Sequence, residues 1–215
     1  MTGRARALSA CELLVGATVV IGHNVFRVLP NEVLVLAGLG LLSARLRDGS
    51  WAAIGFRRPP SWARLVLVAL AAAALRFALG YLIEAAAARF WPPIVAPAGT
   101  EAIAGSLKTA LLYLLLVWTF AAFGEEIAYR GYLVSRAADV GGRSTAAWWA
   151  AVVVVAVLFG YGHYYKGPAG ILDSGVAGLI LGAAYLMCGR NLWVSVLAHG
   201  FIDTAGIALV YLGLE

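Results

Sequence analysis

Charge is scarce in this chain. Of its 215 residues, 13% are Asp, Glu, Lys or Arg and 62% are hydrophobic, and the mean hydropathy is +0.87. A soluble domain is about a quarter charged and about half apolar. No packed core absorbs that surplus of apolar surface, so lipid must solvate the remainder. Cysteine is nearly absent as well: Cys11 and Cys188 lie far apart in no spaced motif, which excludes a disulfide framework and a thiolate metal cluster. No repeat of solenoid period and no low-complexity tail is present. A strongly basic face is also missing. The net charge is +5, but the basic residues are spread over the ends of apolar runs. That dispersal suits an anionic membrane surface and excludes nucleic acid as the expected partner.

What is there is apolar helix. Runs fit to span a bilayer occur at residues 10–28, 33–44, 64–83, 102–126, 145–163, 174–188 and 192–212, where a crossing takes about 20 residues. The expected fold is an all-α, polytopic membrane helix bundle of about seven helices, six to eight. Leu8-Ser9-Ala10-Cys11 looks like a lipoprotein cleavage box but lacks an apolar stretch before it, so the first span reads as an uncleaved helix. Leu29-Pro30-Asn31-Glu32, Trp91-Pro92-Pro93, Pro97-Ala98-Gly99 and Lys166-Gly167-Pro168 carry the turn chemistry between runs, with Asp173 or Ser174 as N-cap of the sixth. Ser174, Gly178 and Gly182, four apart, predict close approach of a neighbouring helix.

Arginine sets the expected orientation. Arg4, Arg6, Arg45, Arg47, Arg57, Arg58, Arg64, Arg130, Arg136, Arg143 and Arg190 fall on one side, against Arg27, Arg89 and Lys166 on the other. The positive-inside rule then places the N-terminus in the cytoplasm and, after seven spans, the C-terminus outside. Heavy use of Ala, Gly and Arg suggests a bacterial source, hence the inner (cytoplasmic) membrane.

Against this apolar background a few ionisable groups stand out. Glu125, Glu126 and Arg130 close the fourth run, His163 closes the fifth, and His199 and Asp203 lie inside the seventh. A charged group near mid-membrane costs about 2.5–3.5 kcal/mol on insertion scales, so these groups should face one another in a polar cavity. Glu126 and Arg130 share a helix face, as do His199 and Asp203. In an α-helix Glu125 is rotated about 100° from Glu126, so one acid can face the cavity while the other braces Arg130. Gly160, Gly162 and Gly200 would leave room for a substrate backbone or a water. A carboxylate beside a histidine can activate water, and a second polar pair can hold an oxyanion. The same residues could also line a proton or transport path, or merely brace helices.

One conflict follows from these boundaries. Glu125, ending an inward-running helix, falls toward the cytoplasmic side, whereas His163, ending an outward-running one, falls on the opposite side. Their meeting requires a tilted or broken fifth helix, a re-entrant bend at Lys166-Gly167-Pro168, or boundaries displaced by a turn or more.

Glu125-Glu126-Ile127-Ala128-Tyr129-Arg130 resembles the EExxxR motif of the CPBP family of intramembrane proteases, which includes CAAX prenyl endopeptidases and bacterial Abi proteins. Phe159-Gly160-Tyr161-Gly162-His163 is similar to its FxxxH motif. His199-Gly200-Phe201-Ile202-Asp203 resembles HxxxN with aspartate in the last place, and Ile54-Gly55-Phe56-Arg57-Arg58-Pro59 resembles a segment common upstream in bacterial members. The three motifs come in the family's order on three separate helices. The resemblance divides a single integral membrane domain into N-terminal helices and loop, 1–101, and a CPBP-like catalytic core, 102–215.

The resemblance implies hydrolysis of a peptide bond in a membrane-anchored protein or peptide. Carried over by position, Glu125 activates the water with help from His163, His199 and Asp203 bind the oxyanion or fix the substrate carbonyl, and Glu126 and Arg130 orient the site. It implies no cofactor on a metal-free glutamate mechanism; the less favoured zinc mechanism would draw ligands from Glu125, His163, His199 and Asp203. Asp203 is a departure, because an ionised aspartate cannot donate a hydrogen bond as asparagine does. It must be protonated, orient His199 or bind a metal. The competing expectations are a non-catalytic scaffold or immunity protein of the same fold, a proton-coupled carrier, and a protease for C-terminal sorting or anchor segments rather than prenylated tails.

Overall fold

The computed structural model describes residues 2–97 and 99–214; Ala98, in the expected Pro97-Ala98-Gly99 break, lies outside them. Among the described residues there are seven main helices and no strand: α1 (Gly3–Asn24), α2 (Glu32–Arg47), α3 (Trp62–Ala87), α4 (Leu107–Val140), α5 (Thr145–Gly162), α6 (Gly167–Met187) and α7 (Leu192–Leu212). Short 3-10 turns at Trp51–Ile54, Thr100–Ile103 and Tyr164–Lys166 join them. Six helices are long and apolar enough to cross a membrane, and α2, at 16 residues, is the short one. The chain is a polytopic helical membrane protein.

Local chemistry sets the helix starts. Thr2, Asn31, Ser61, Ser106, Ser144 and Asn191 each accept a hydrogen bond from a first-turn backbone N–H, which satisfies one of the donors a helix leaves orphaned. Helix α6 starts at Gly167, with Pro168 in its first turn, where a missing N–H costs nothing. Asp173 and Ser174 are therefore buried inside α6 and not at its N-cap. The break at Lys166-Gly167-Pro168 is present, but the expected cap is not, because Asp173 is held by Arg76 inside the bundle.

The same reason corrects α4. Its apolar run was expected to end at Glu126, the first cluster of charges, but the helix continues to Val140. Arg130 and Arg136 are 2% and 0% exposed, so they are held by buried partners within the bundle. Val117–Glu125 and Ile127–Leu133 are π-helical, a rare i→i+5 form that occurs chiefly as short insertions at functional sites. The α-helical angle between Glu125 and Glu126 does not carry over to this wider turn.

Small residues bring α5 and α6 together. A Cβ on Gly178 would lie 3.0 Å from the Ala156 Cα, and one on Gly182 would lie 2.6 Å from Val152 Cγ1, as the four-residue stripe predicts. Helix α3 packs on α6 and α7, while α1 and α2 pack on the second half of α4. Val20, Leu36, Ile54, Leu133, Val152 and Leu192 join these helices in one buried core.

The two ends of the bundle differ in charge. At one end Ser9 bonds Asp139 at 2.9 Å, Arg136 bonds Asp48 at 2.6 Å, and Asn191 bonds the Arg57 carbonyl at 2.9 Å. This end gathers the starts of α1, α3, α5 and α7, and with them all the arginines assigned inward except Arg130. The other end, closed by Gly105 N–H on the Tyr211 carbonyl at 3.0 Å and Val95 N–H on the Lys166 carbonyl at 3.3 Å, carries Arg27, Arg89, Lys108 and Lys166.

Candidate active site

The extension of α4 removes the conflict between Glu125 and His163. Glu125 lies near the middle of a 34-residue helix rather than at its end. Its segment packs on α7 and α2 inside the bundle, away from the arginine-rich end. No break in α5 is needed.

Glu126, fully buried, is the centre of the site. Its Oε1 accepts from Arg130 Nη1 at 2.8 Å and from His199 Nδ1 at 2.7 Å. Its Oε2 is buried without a hydrogen-bond partner among the described residues. With Nδ1 on Glu126, the His199 ring turns Nε2 toward Asp203 Oδ2, 3.5 Å away. His199 thus stands between two carboxylates, and both expected four-residue pairs are present. The Arg130 guanidinium also lies over the Phe159 ring, 4.3 Å from its centroid.

Glu125 is partly exposed, and its Oε2 is buried without a hydrogen-bond partner. The charges of His199, Asp203, Glu126 and Arg130 all act on it. His163 caps α5, and its Nδ1 lies 2.9 Å from the Phe159 carbonyl. A carbonyl only accepts, so Nδ1 carries the proton and the neutral ring keeps Nε2 as a base.

Phe159 and Tyr129 organise these groups. Phe159 has ring centroids 4.9 Å from Tyr129, 4.8 Å from His163 and 6.2 Å from His199. Both stand in the motifs, but periodicity says nothing of rings that assemble from three helices. Arg76 on α3 is a second residue that sequence reasoning passed over; it pairs with Asp173 on α6 at 2.5 Å. Its signal was available, because it is an arginine inside an apolar run.

The three glycines do not provide room for substrate. A Cβ on Gly160 would meet the Ile171 carbonyl at 2.6 Å, and one on Gly162 the Tyr129 hydroxyl at 2.7 Å, while Gly200 lies against the Trp118 ring. They are close-packing positions. Among the described residues no three His, Cys, Asp or Glu side chains gather as a metal-binding group. Both nitrogens of His199 face carboxylates, and one nitrogen of His163 is taken by backbone.

Residues 107–205, a little under half of the chain, match the model of the family described as Type II CAAX prenyl endopeptidase Rce1-like. That stretch spans α4 to α7 and contains Glu125, Glu126, Arg130, His163, His199 and Asp203. Over that stretch the chain is similar to CAAX-type proteases. Comparison with curated proteins and with solved structures gives no match.

Proposed function

We propose that this protein is a metal-independent glutamate endopeptidase that hydrolyses a peptide bond of a membrane-anchored protein. The observation that carries the reading is the unpartnered buried oxygen of Glu125 beside the bonded group of Glu126 Oε1, Arg130, His199 and Asp203. Glu125 takes a proton from water, the water oxygen adds to the scissile carbonyl carbon, and the proton passes to the departing amine as the C–N bond breaks. His163, with Nε2 free of backbone, supports the proton transfers. His199, held by Glu126 and backed by Asp203, presents itself to the developing oxyanion. Glu126 and Arg130 keep that geometry. Asp203 acts through His199, which answers for an aspartate where asparagine is usual.

The wider setting is a bacterial inner membrane with the arginine-rich end in the cytoplasm. The substrate reading also includes C-terminal sorting or anchor segments, since no residue of the site selects a prenyl group.

Terminal-peptide proteomics on membranes from cells carrying the native chain or Glu125→Ala at matched abundance tests this. New protein termini should appear with the native chain alone. Identical peptide sets, with the native chain still supporting its cellular phenotype, would transfer the assignment to a non-catalytic scaffold. Cleavage should also persist in a chelator; loss that zinc restores would replace the glutamate mechanism with the zinc one.

A further inference from the structure

Hydrolysis inside a bilayer requires water at a carboxylate that helices and lipid surround. A cavity of about 290 Å³ opens at the bundle end formed by the end of α1, the start of α2 and the Tyr164–Lys166 turn; it is lined by His23, Asn24, Arg27, Leu29 and Tyr165. Its wall continues inward as polar groups. His23 Nδ1 donates to the Leu29 carbonyl at 3.0 Å, which leaves Nε2 3.2 Å from Glu32 Oε2. Glu32 is only 7% exposed. Its Oε2, though within ion-pair distance of His23, has no aligned hydrogen-bond donor.

From Glu32 the path reaches the site through Tyr129. A Cβ on Gly162 would lie 2.7 Å from the Tyr129 hydroxyl and 3.9 Å from Glu32 Oε1. The Tyr129 hydroxyl and the Glu32 carboxylate therefore both approach the Gly162 backbone, where the missing side chain lets them come close. Tyr129 is within electrostatic range of both Glu32 and Glu125. Tyr165, on the cavity wall, is within range of Glu125, Asp203 and Glu32, and its ring centroid is 6.1 Å from that of His163. Polar groups thus run inward from the cavity: His23 and Tyr165 on its wall, Glu32 behind His23, and the Tyr129 hydroxyl beside Glu32 at Gly162.

The plain role for Glu32 is an acid in the first turn of α2, favoured by the helix dipole. An exposed acid does that without desolvation. Burying a carboxylate with an unsatisfied oxygen costs free energy that water at that oxygen would recover. Glu32, Glu125 and Glu126 each have such an oxygen, and the charges of Glu32 and Glu125 both act on Tyr129.

We propose that the cavity at His23 and Tyr165 is the water inlet of the active site, and that Glu32 and Tyr129 guide water from it to Glu125. The purpose of this path rests on the hydrolytic reading, but its existence is tested without catalysis. Hydroxyl-radical footprinting of the native chain in lipid vesicles reads water beside individual side chains. Tyr129 is 2% exposed and Tyr185 is 0% exposed, so static burial predicts equal protection. The inlet predicts oxidation of Tyr129 at least about tenfold faster than Tyr185, within a few-fold of the open Tyr165. Leu29→Trp, which fills the mouth, should reduce Tyr129 labelling about fivefold or more and leave Tyr185 unchanged. Glu32→Leu should lower kcat about tenfold with KM for the peptide unchanged. Protection of Tyr129 equal to that of Tyr185 overturns the inlet, even where Glu125-dependent cleavage persists. Labelled Tyr129 in a chain that cleaves nothing leaves the inlet standing and removes the protease reading.

Discussion

Arg130 and His199 both depend on one carboxyl oxygen at Glu126, and that dependence predicts what its removal does. Glu126→Leu leaves the Arg130 guanidinium buried and uncompensated, a change that typically costs about 3–5 kcal/mol. Chemical unfolding in detergent micelles should show a loss of that size; a loss below about 1 kcal/mol would mean Arg130 finds another partner. His163 is different, because its ring is tied to backbone rather than to a charge. His163→Ala should fold normally and lower kcat by about 10²–10⁴, the usual contribution of a positioned acid or base, as read by peptide cleavage. Asp203→Asn should retain cleavage within about tenfold, since the amide keeps an oxygen to accept from His199 Nε2 and adds an N–H that can donate to the oxyanion; loss comparable to Glu125→Ala would make the carboxylate itself essential. At this scale the bonded group of Glu126, Arg130, His199 and Asp203 was legible as ionisable residues where lipid tolerates few. Phe159 and Tyr129 were not, because an aromatic ring in an apolar helix gives no signal until its neighbours are known.

Among the elements, α4 departs most from its sequence pattern. Hydropathy ends a span where charge begins, and Glu125-Glu126 begins the charge. The helix runs on because Gly178 O, Glu126, Glu12, Asp48 and Asp139 accept from Arg130 and Arg136 inside the protein. Its π-helical turns have no composition signature, so their width was not legible at all. The contact between α5 and α6 was legible, since small residues four apart have one common use in membranes. That contact gives a paired prediction. Gly160→Ala places a methyl 2.6 Å from the Ile171 backbone carbonyl, and parting the helices should cost about 1–3 kcal/mol. Gly206→Ala, with nothing within 4 Å of the new Cβ, should stabilise α7 by about 0.5–1 kcal/mol. Thermal unfolding of the two variants should shift in opposite directions.

Across the whole molecule, Arg136 holds the N-terminal helices to the core. It bonds Glu12 from α1, Asp48 and Ser43 from the end of α2, and Asp139 from its own helix. Arg136→Met would leave three carboxylates facing one another, with Arg47 and Arg143 as remaining partners. The expected result is faster hydrogen exchange throughout α1 and α2 with α5 to α7 unchanged, measured by mass spectrometry in micelles. Orientation is a property of the same scale. Topology reporters fused after Ser50 and after Gly142 should report the cytoplasm, and one fused after Val95 the opposite side; the reverse pattern would invert the bundle.

Composition alone determined that this chain lives in lipid, since the free energy of apolar surface is nearly independent of which residues supply it. The distribution of arginine determined two unlike ends, because charge cannot rest in the hydrocarbon layer unpaired. Motif spacing determined which acids and histidines belong together. Only the tertiary structure decided how far α4 runs, that the three glycines serve packing rather than substrate, that Arg76 meets Asp173, and that Glu125 and His163 lie on one level of the bundle. Each of those depends on what satisfies a polar group from another helix, and a sequence read one segment at a time does not contain its partner.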